Sequence, residues 1–305
     1  MHPKSSRYTG RSLTLNTNRT GTGKRKFQVC NGYLLEFDQL ARVLHVLSSE
    51  TTTKKVSRAA LIDSTGLANR QIESLVSIGA AMGLIRRGAQ ILTPAGRLVA
   101  RHDVFLESKG ALEWSHWKGA GSPRNLIWHA IFNDLLPTQA AMNVEGWMAW
   151  LRSRLAGEYT DRTIGKHLHE EVRFVVDAYL SRNFNRLELL AKASDGRLYR
   201  RRYASPDPAA FCGMLYDYAR ENGSTLLQSA DLLNAPGSPA LVFALDDSAL
   251  QPMLEVLHTR RWLRLERTHD LNQVRLLEGF EPLLFLQAYF ENREPMELIG
   301  RPEET

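Results

Sequence analysis

Cysteine is nearly absent. Cys30 and Cys212 are the two in 305 residues, far apart and without a CxxC partner. That scarcity excludes a disulfide-stapled scaffold and predicts reduced core thiols in a cytoplasmic setting. Long apolar runs are missing as well: none approaches the roughly 18 residues of a membrane-spanning helix. No apolar stretch follows the basic N-terminus, so a secretory signal is not expected. The third absence is local. Residues 1–27 contain no Asp or Glu but seven basic residues: Lys4, Arg7, Arg11, Arg19, Lys24, Arg25 and Lys26.

What remains is ordinary in composition, with 43% hydrophobic and 24% charged residues and a net charge of +6. The charge belongs to the arm. Taking its seven from the 39 basic residues leaves 32 against 33 acidic ones, so the body is close to neutral. A Ser/Thr/Asn/Gly-rich basic arm over 1–27 cannot bury a core and is expected to be disordered in isolation. It can contact phosphates, with Lys24, Arg25 and Lys26 as candidates, or it can simply solubilise the chain.

Beyond the arm, residues 28–103 read as a winged helix-turn-helix. FDQLARVLHVLSS places apolar residues at 40, 43, 44 and 47, one face of a helix. Ser57 caps a short helix, RAALIDST, and Gly66 turns the chain into a longer one, ANRQIESLVSIGAAMGL. Its inward face is expected to be Ile72, Leu75, Val76, Gly79 and Met82. Its outward face is expected to be Arg70, Glu73, Ser74, Ser77 and Ala81. RRGAQILT reads as a small hairpin, and Thr93-Pro94 as the cap and first turn of the next helix.

Residues 104–192 read as a helical, tryptophan-rich middle domain. Five of the six tryptophans fall between 114 and 150, and core packing is their expected role. The segment 193–305 reads as a second, winged-helix-like α+β domain. Its expected parts are a strand at RLYRRRYA, helices at PDPAAFCGMLYDYAREN and STLLQSADLLN, and a strand at ALVFALDD. A helix at SALQPMLEVLHT and a hairpin of WLRLER with NQVRLLE follow, before a closing helix at EPLLFLQAYFEN. The expected class is therefore mainly α with small β.

Three stretches together resemble one family. DVFLESKGALEWSHW followed by NLIWHAIFND is similar to its acidic D-x-x-L-E turn, aromatic helix and tryptophan-to-FN helix. ESLVSIGAAMGLI leading into ILTPAGRLVARHD matches its winged helix, and APGSPALVFALDDSAL its C-terminal SPG-x-x-F-x-L segment. Two departures stand out: Ala240 replaces the usual Gly after Ser-Pro, and NGYLLEF replaces a GH-x-x-F opening. The family is an uncharacterised bacterial group often encoded in phage-defence islands, frequently beside the enzymes of DNA phosphorothioation. The resemblance implies a defence-associated DNA-binding or scaffold protein with no established reaction.

Motifs for catalysis are thin. GTGKRK has Asn18 and Arg25 where a phosphate loop needs Gly and Ser/Thr. HLHEEV puts His167 and Glu171 at metal-compatible spacing without a further ligand cluster, and a solvated helix face is the plainer reading. No catalytic residue, cofactor or metal is expected. For DNA, Asn69, Arg70, Gln71, Ser74 and Ser77 would face a major groove, with Glu73 opposing phosphate among them. Arg86 and Arg87 begin the wing and can reach phosphate. Arg197, Arg200, Arg201 and Arg202 form a second basic cluster, which edge-strand protection would also explain. The leading expectation is a non-enzymatic subunit bound to double-stranded DNA and to other defence proteins such as a helicase, nuclease or modification enzyme. The alternative is a protein–protein scaffold or homo-oligomeric adaptor.

Overall fold

The computed structural model describes residues 25–49, 55–139, 141–203, 205–268 and 271–300. The expected disordered arm, Lys24 included, lies outside them except for Arg25, Lys26 and Phe27. Helix α1 (Phe37–Ser49) buries Leu40, Val43, Leu44 and Leu47, the face its spacing predicts. Ser57 caps α2 (Arg58–Thr65) by accepting from the Ala60 amide at 3.1 Å, and Gly66 ends it at φ 69°. Helix α3 (Asn69–Ala81) follows. The expected hairpin is reduced to one antiparallel bridge, Ile85↔Leu92. Thr93 ties this bridge to α4 (Pro94–His102). Its amide donates to Leu84 O at 2.9 Å, and its hydroxyl accepts from the Gly96 amide at 2.9 Å.

The middle of the chain is helical, as expected: α5 (Lys109–Gly121), α6 (Leu126–Ala130), α7 (Leu136–Thr138), α8 (Val144–Leu155) and α9 (Asp161–Leu180). A π turn, Ile131–Leu135, joins α6 to α7. Trp114, Trp117, Trp128 and Trp147 are buried, so the tryptophans of this region are mainly core. Asp103 holds the turn into α5 by accepting from the Glu107 and Ser108 amides, both at 2.8 Å.

Past a 3-10 turn, β1 (Leu190–Lys192) and β2 (Leu198–Arg200) form a small hairpin. Helix α10 (Pro208–Glu221) starts at Asp207, which accepts from the Ala209 and Ala210 amides. Two expectations fail next. STLLQ is not the start of a helix: Leu226–Gln228 is strand β3, and only Ser229–Asn234 is helical, as α11. ALVFALDD is not a strand. Ser238 caps a short helix, α12 (Pro239–Val242), and the chain then turns at Ala244 with φ 58°. Helix α13 (Asp247–Thr259) leads into β4 (Leu263–Thr268) and β5 (Leu271–Leu276), and α14 (Pro282–Glu291) closes the chain. Strand β5 is central in the antiparallel order β3-β5-β4, with Leu227↔Val274 and Leu265↔Val274 in register.

One buried apolar cluster runs from Phe27 to Leu286 and draws on helices from α1 to α14. At its centre Gly237 (φ 82°) is held on both sides. Its amide donates to Asn133 Oδ1 at 2.7 Å, and its carbonyl accepts from Trp117 Nε1 at 3.1 Å. Cys30 and Cys212 are both free thiols and both buried.

Candidate nucleic-acid interface

The local physics of α3 sets the site. Asn69 and Arg70 are exposed in its first turn, and Glu73 beside them is exposed too. Gln71 is turned back, its Oε1 accepting from the Ala68 amide at 2.8 Å, so it caps the helix instead of projecting outward. The rest of the expected outward face is covered. Ser74, Ser77 and Ala81 are 1%, 8% and 3% exposed; the segment of residues 26–29 closes over Ser77, and Asn125 meets the Ala81 carbonyl. Ser77 Oγ donates to Val29 O at 2.6 Å and accepts from Lys26 Nζ at 2.6 Å. A helix-period count cannot register this cover, since the covering segment lies some fifty positions upstream.

The N-terminal segment is itself anchored. The Lys26 amide donates to Arg124 O at 2.8 Å, forming a bridge beside Asn125. Phe27, Val29 and Cys30 enter the core. Glu171 of α9 accepts from the Cys30 amide at 3.0 Å and from its thiol at 3.1 Å; burial pushes both the carboxyl and the thiol upward. His167 Nδ1 is 2.6 Å from Gln28 Nε2. The His167/Glu171 pair is thus taken up in holding residues 28–30. Among the described residues, no three His, Cys, Asp or Glu side chains stand together as a metal site.

Cations gather where this segment meets the bridge loop after α3. Arg86 is exposed. The Arg87 guanidinium donates to Asn125 Oδ1, and the same Asn125 is fully buried with its Nδ2 on Gly119 O at 2.8 Å. Burial depresses the Lys26 ammonium first, and the Arg87 charge depresses it further; Glu171 and Glu73 oppose both more weakly. Arg87 is lowered by burial and then by Arg124. Lys26, Arg87, Arg25, Gln28, Asn31 and Tyr159 line an open recess of about 440 Å³. Arg25 at its edge pairs with Glu158 at 3.2 Å, both half exposed.

The second basic cluster does not form an open phosphate site. Arg200 folds inward onto Leu241 O, and burial lowers it to about 10. Arg201 pairs with Glu188 at 3.3 Å, Arg202 with Asp246 at 2.9 Å, and Arg197 with Asp195 at 2.7 Å. The predicted residues that come together are therefore Arg25, Lys26, Ser77 and Arg87. Asn69, Arg70 and Arg86 stay exposed nearby, and Ser74 is buried without a hydrogen-bond partner. Sequence reasoning missed Arg124, Asn125 and Tyr159. No spacing rule joins them to residue 26: a tertiary bridge brings Arg124 and Asn125 to it, and the Phe27 ring contact brings Tyr159.

The fold and site define a mainly helical protein with small sheets and a cationic recess on one face; among the described residues no helix is long and apolar enough to cross a membrane. The chain belongs to the family described as protein of unknown function (DUF4007), whose model matches residues 72–290. In fold it is similar to two crystal structures of SspB. One, described as magnesium ion-bound, has a TM-score of 0.69 and 16% identity over 91% of this chain and 90% of that one. The other has a TM-score of 0.67 with the same identity and coverage. No curated protein matches the chain in sequence.

Proposed function

We propose that this chain is a DNA-binding subunit, without chemistry of its own, of a bacterial anti-phage defence or DNA-modification system in the cytoplasm. The observation that carries the reading is the gathering of Lys26, Arg87 and Arg124 at the point where the basic arm joins the body. Among the described residues no carboxylate forms an ion pair with Lys26 or Arg87, whose side-chain hydrogen bonds go to a hydroxyl and an amide oxygen. Lys26 is half-buried and Arg87 and Arg124 are exposed, so the cost lies in their mutual repulsion, which a bound anion relieves. A phosphodiester supplies that anion, and the arm extends the contact along the backbone.

We further infer that the chain carries two winged-helix modules. The run α1, α2, α3, bridge and α4 supports the first. The run α10, β3, α11, α13 and the β4–β5 hairpin, with its sheet order β3-β5-β4, supports the second. In the first module Asn69 and Arg70 are left to touch base edges, while the recess and Arg86 hold phosphate. The defence setting follows from the family resemblance in DVFLESKGALEWSHW and APGSPALVFALDD.

The test is a duplex-binding titration across a salt series. Affinity should fall steeply between about 50 and 200 mM salt, as counterion release requires. A flat profile, or one untouched by Lys26→Gln with Arg87→Gln, sinks the proposal. A second reading, a scaffold that docks a defence enzyme or a second copy of itself, draws support from the covered half of α3. A stable oligomer by mass measurement, with no duplex shift at low salt, would select it.

A further inference from the structure

We propose that the recess between the N-terminal segment and the α8–α9 loop takes one unstacked nucleotide, its phosphate on Lys26 and Arg87 and its base against Tyr159. The inference rests on the DNA-binding reading and specifies what that site recognises. The volume of about 440 Å³ falls in the range of small-molecule sites, roughly 300–1,000 Å³, and is more than a phosphate alone requires.

The lining divides by chemistry. Lys26 spends one of its three donors on Ser77, and Arg87 reaches Asn125 with part of its five-donor fork. Both keep donors for an anion. Tyr159, also in the lining, is half-buried, its ring set edge-on to Phe27 with centroids 5.1 Å apart and planes at 72°. A T-shaped contact engages the face of only one ring of the pair, so Tyr159 keeps at least one face clear of Phe27. The amides of Gln28 and Asn31, also in the lining, can pair with a base edge.

A cationic wall, an aromatic ring and side-chain amides are the parts from which sites for unpaired nucleotides are built. A stacked base pair cannot enter a recess of this kind; its phosphates would touch the rim and leave Tyr159 idle. The arm is an unsuitable occupant, because its charge has the same sign as Lys26 and Arg87.

The experiment uses the full chain and fluorescence polarisation. Three probes are compared: a fully paired duplex, the same duplex with one central unpaired nucleotide, and its single strand. The unpaired and single-stranded probes should bind about tenfold tighter than the paired duplex. Tyr159→Ala should bring all three to parity, while Tyr159→Phe keeps the margin. Unlabelled deoxyadenosine monophosphate should displace the unpaired probe at lower concentration than inorganic phosphate does. A thermal melt of each variant confirms that it folds, and the competition arm needs no variant.

Equal binding of paired and unpaired probes overturns this inference and leaves the DNA-binding reading standing. So does a margin that survives Tyr159→Ala. Inorganic phosphate competing as well as the mononucleotide would reduce the recess to an anion site. Failure of every probe to bind at low salt would remove the DNA-binding reading itself.

Discussion

At position 113 a carboxylate is sealed inside the protein. Glu113 accepts from the Tyr203 hydroxyl at 2.6 Å and from the Asp207 amide at 2.9 Å, with Lys109 Nζ 3.9 Å away. Burial outweighs these partners and raises its carboxyl to about 7, from an ordinary value of 4.5. The folded chain therefore holds this proton more tightly than the unfolded chain does. The linked stabilisation is complete below about pH 4.5 and is lost as the pH rises through 7, a change on the order of 3 kcal/mol at most. Glu171 shifts in the same direction. Urea titrations at pH 5 and pH 8 should show Glu113→Gln with a shallower loss of stability than the parent chain. An unchanged pH slope in the variant would contradict the assignment. Nothing in SKGALEWSHW marks this residue, because helix spacing does not say which face has a second layer over it. The same blindness applies to Ser74 and Ser77.

At the scale of elements, caps are readable in the sequence and long-range covers are not. Thr93-Pro94, Ser57 and Gly66 act within a few residues of themselves, so their positions in the chain suffice to place them. The ALVFAL run misleads because a short apolar stretch suits a strand and a buried helical turn equally. The Ser238 cap and Pro239 at the first helical position decide for the helix. Strand β3 is hidden for a different reason: its partner β5 lies more than forty positions away. The approach of α4 to the bridge strand is unusually close. A Cβ on Gly96 would stand 1.9 Å from Leu84 O, a backbone atom that cannot swing aside. Gly96→Ala should therefore cost at least about 2 kcal/mol, an overpacking loss visible as a lower denaturation midpoint. A variant as stable as the parent would show that α4 sits further off.

For the whole molecule, the class is legible from helical periodicity and the location of charge from simple counting. The site is legible only in part. Lys26, Arg86 and Arg87 are within reach of sequence reasoning; their grouping with Arg124 and Tyr159 depends on how residues 25–30 cross α3 and α9. With Lys26→Gln and Arg87→Gln together, the slope of log affinity against log salt should fall by about 2, near one for each phosphate left without its cation. The stitching at Gly237 makes a separate prediction. Asn133 joins the π turn to Gly237 and to Ala120 O at 2.8 Å, so Asn133→Ala should cost about 2 kcal/mol and lower Tm by several degrees. A melt unaffected by the change would mean that the bond is dispensable.

That stitch bears on what family membership can tell. Trp117, Asn133 and Gly237 come from the segments by which the chain resembles its relatives, and all three serve one internal joint. Lys26 and Phe27, by contrast, lie before residue 72, where the family match begins. Kinship here is a statement about how the frame is riveted. The proposed site straddles that limit, with Lys26 and Phe27 before the matched span and Arg87 and Tyr159 within it.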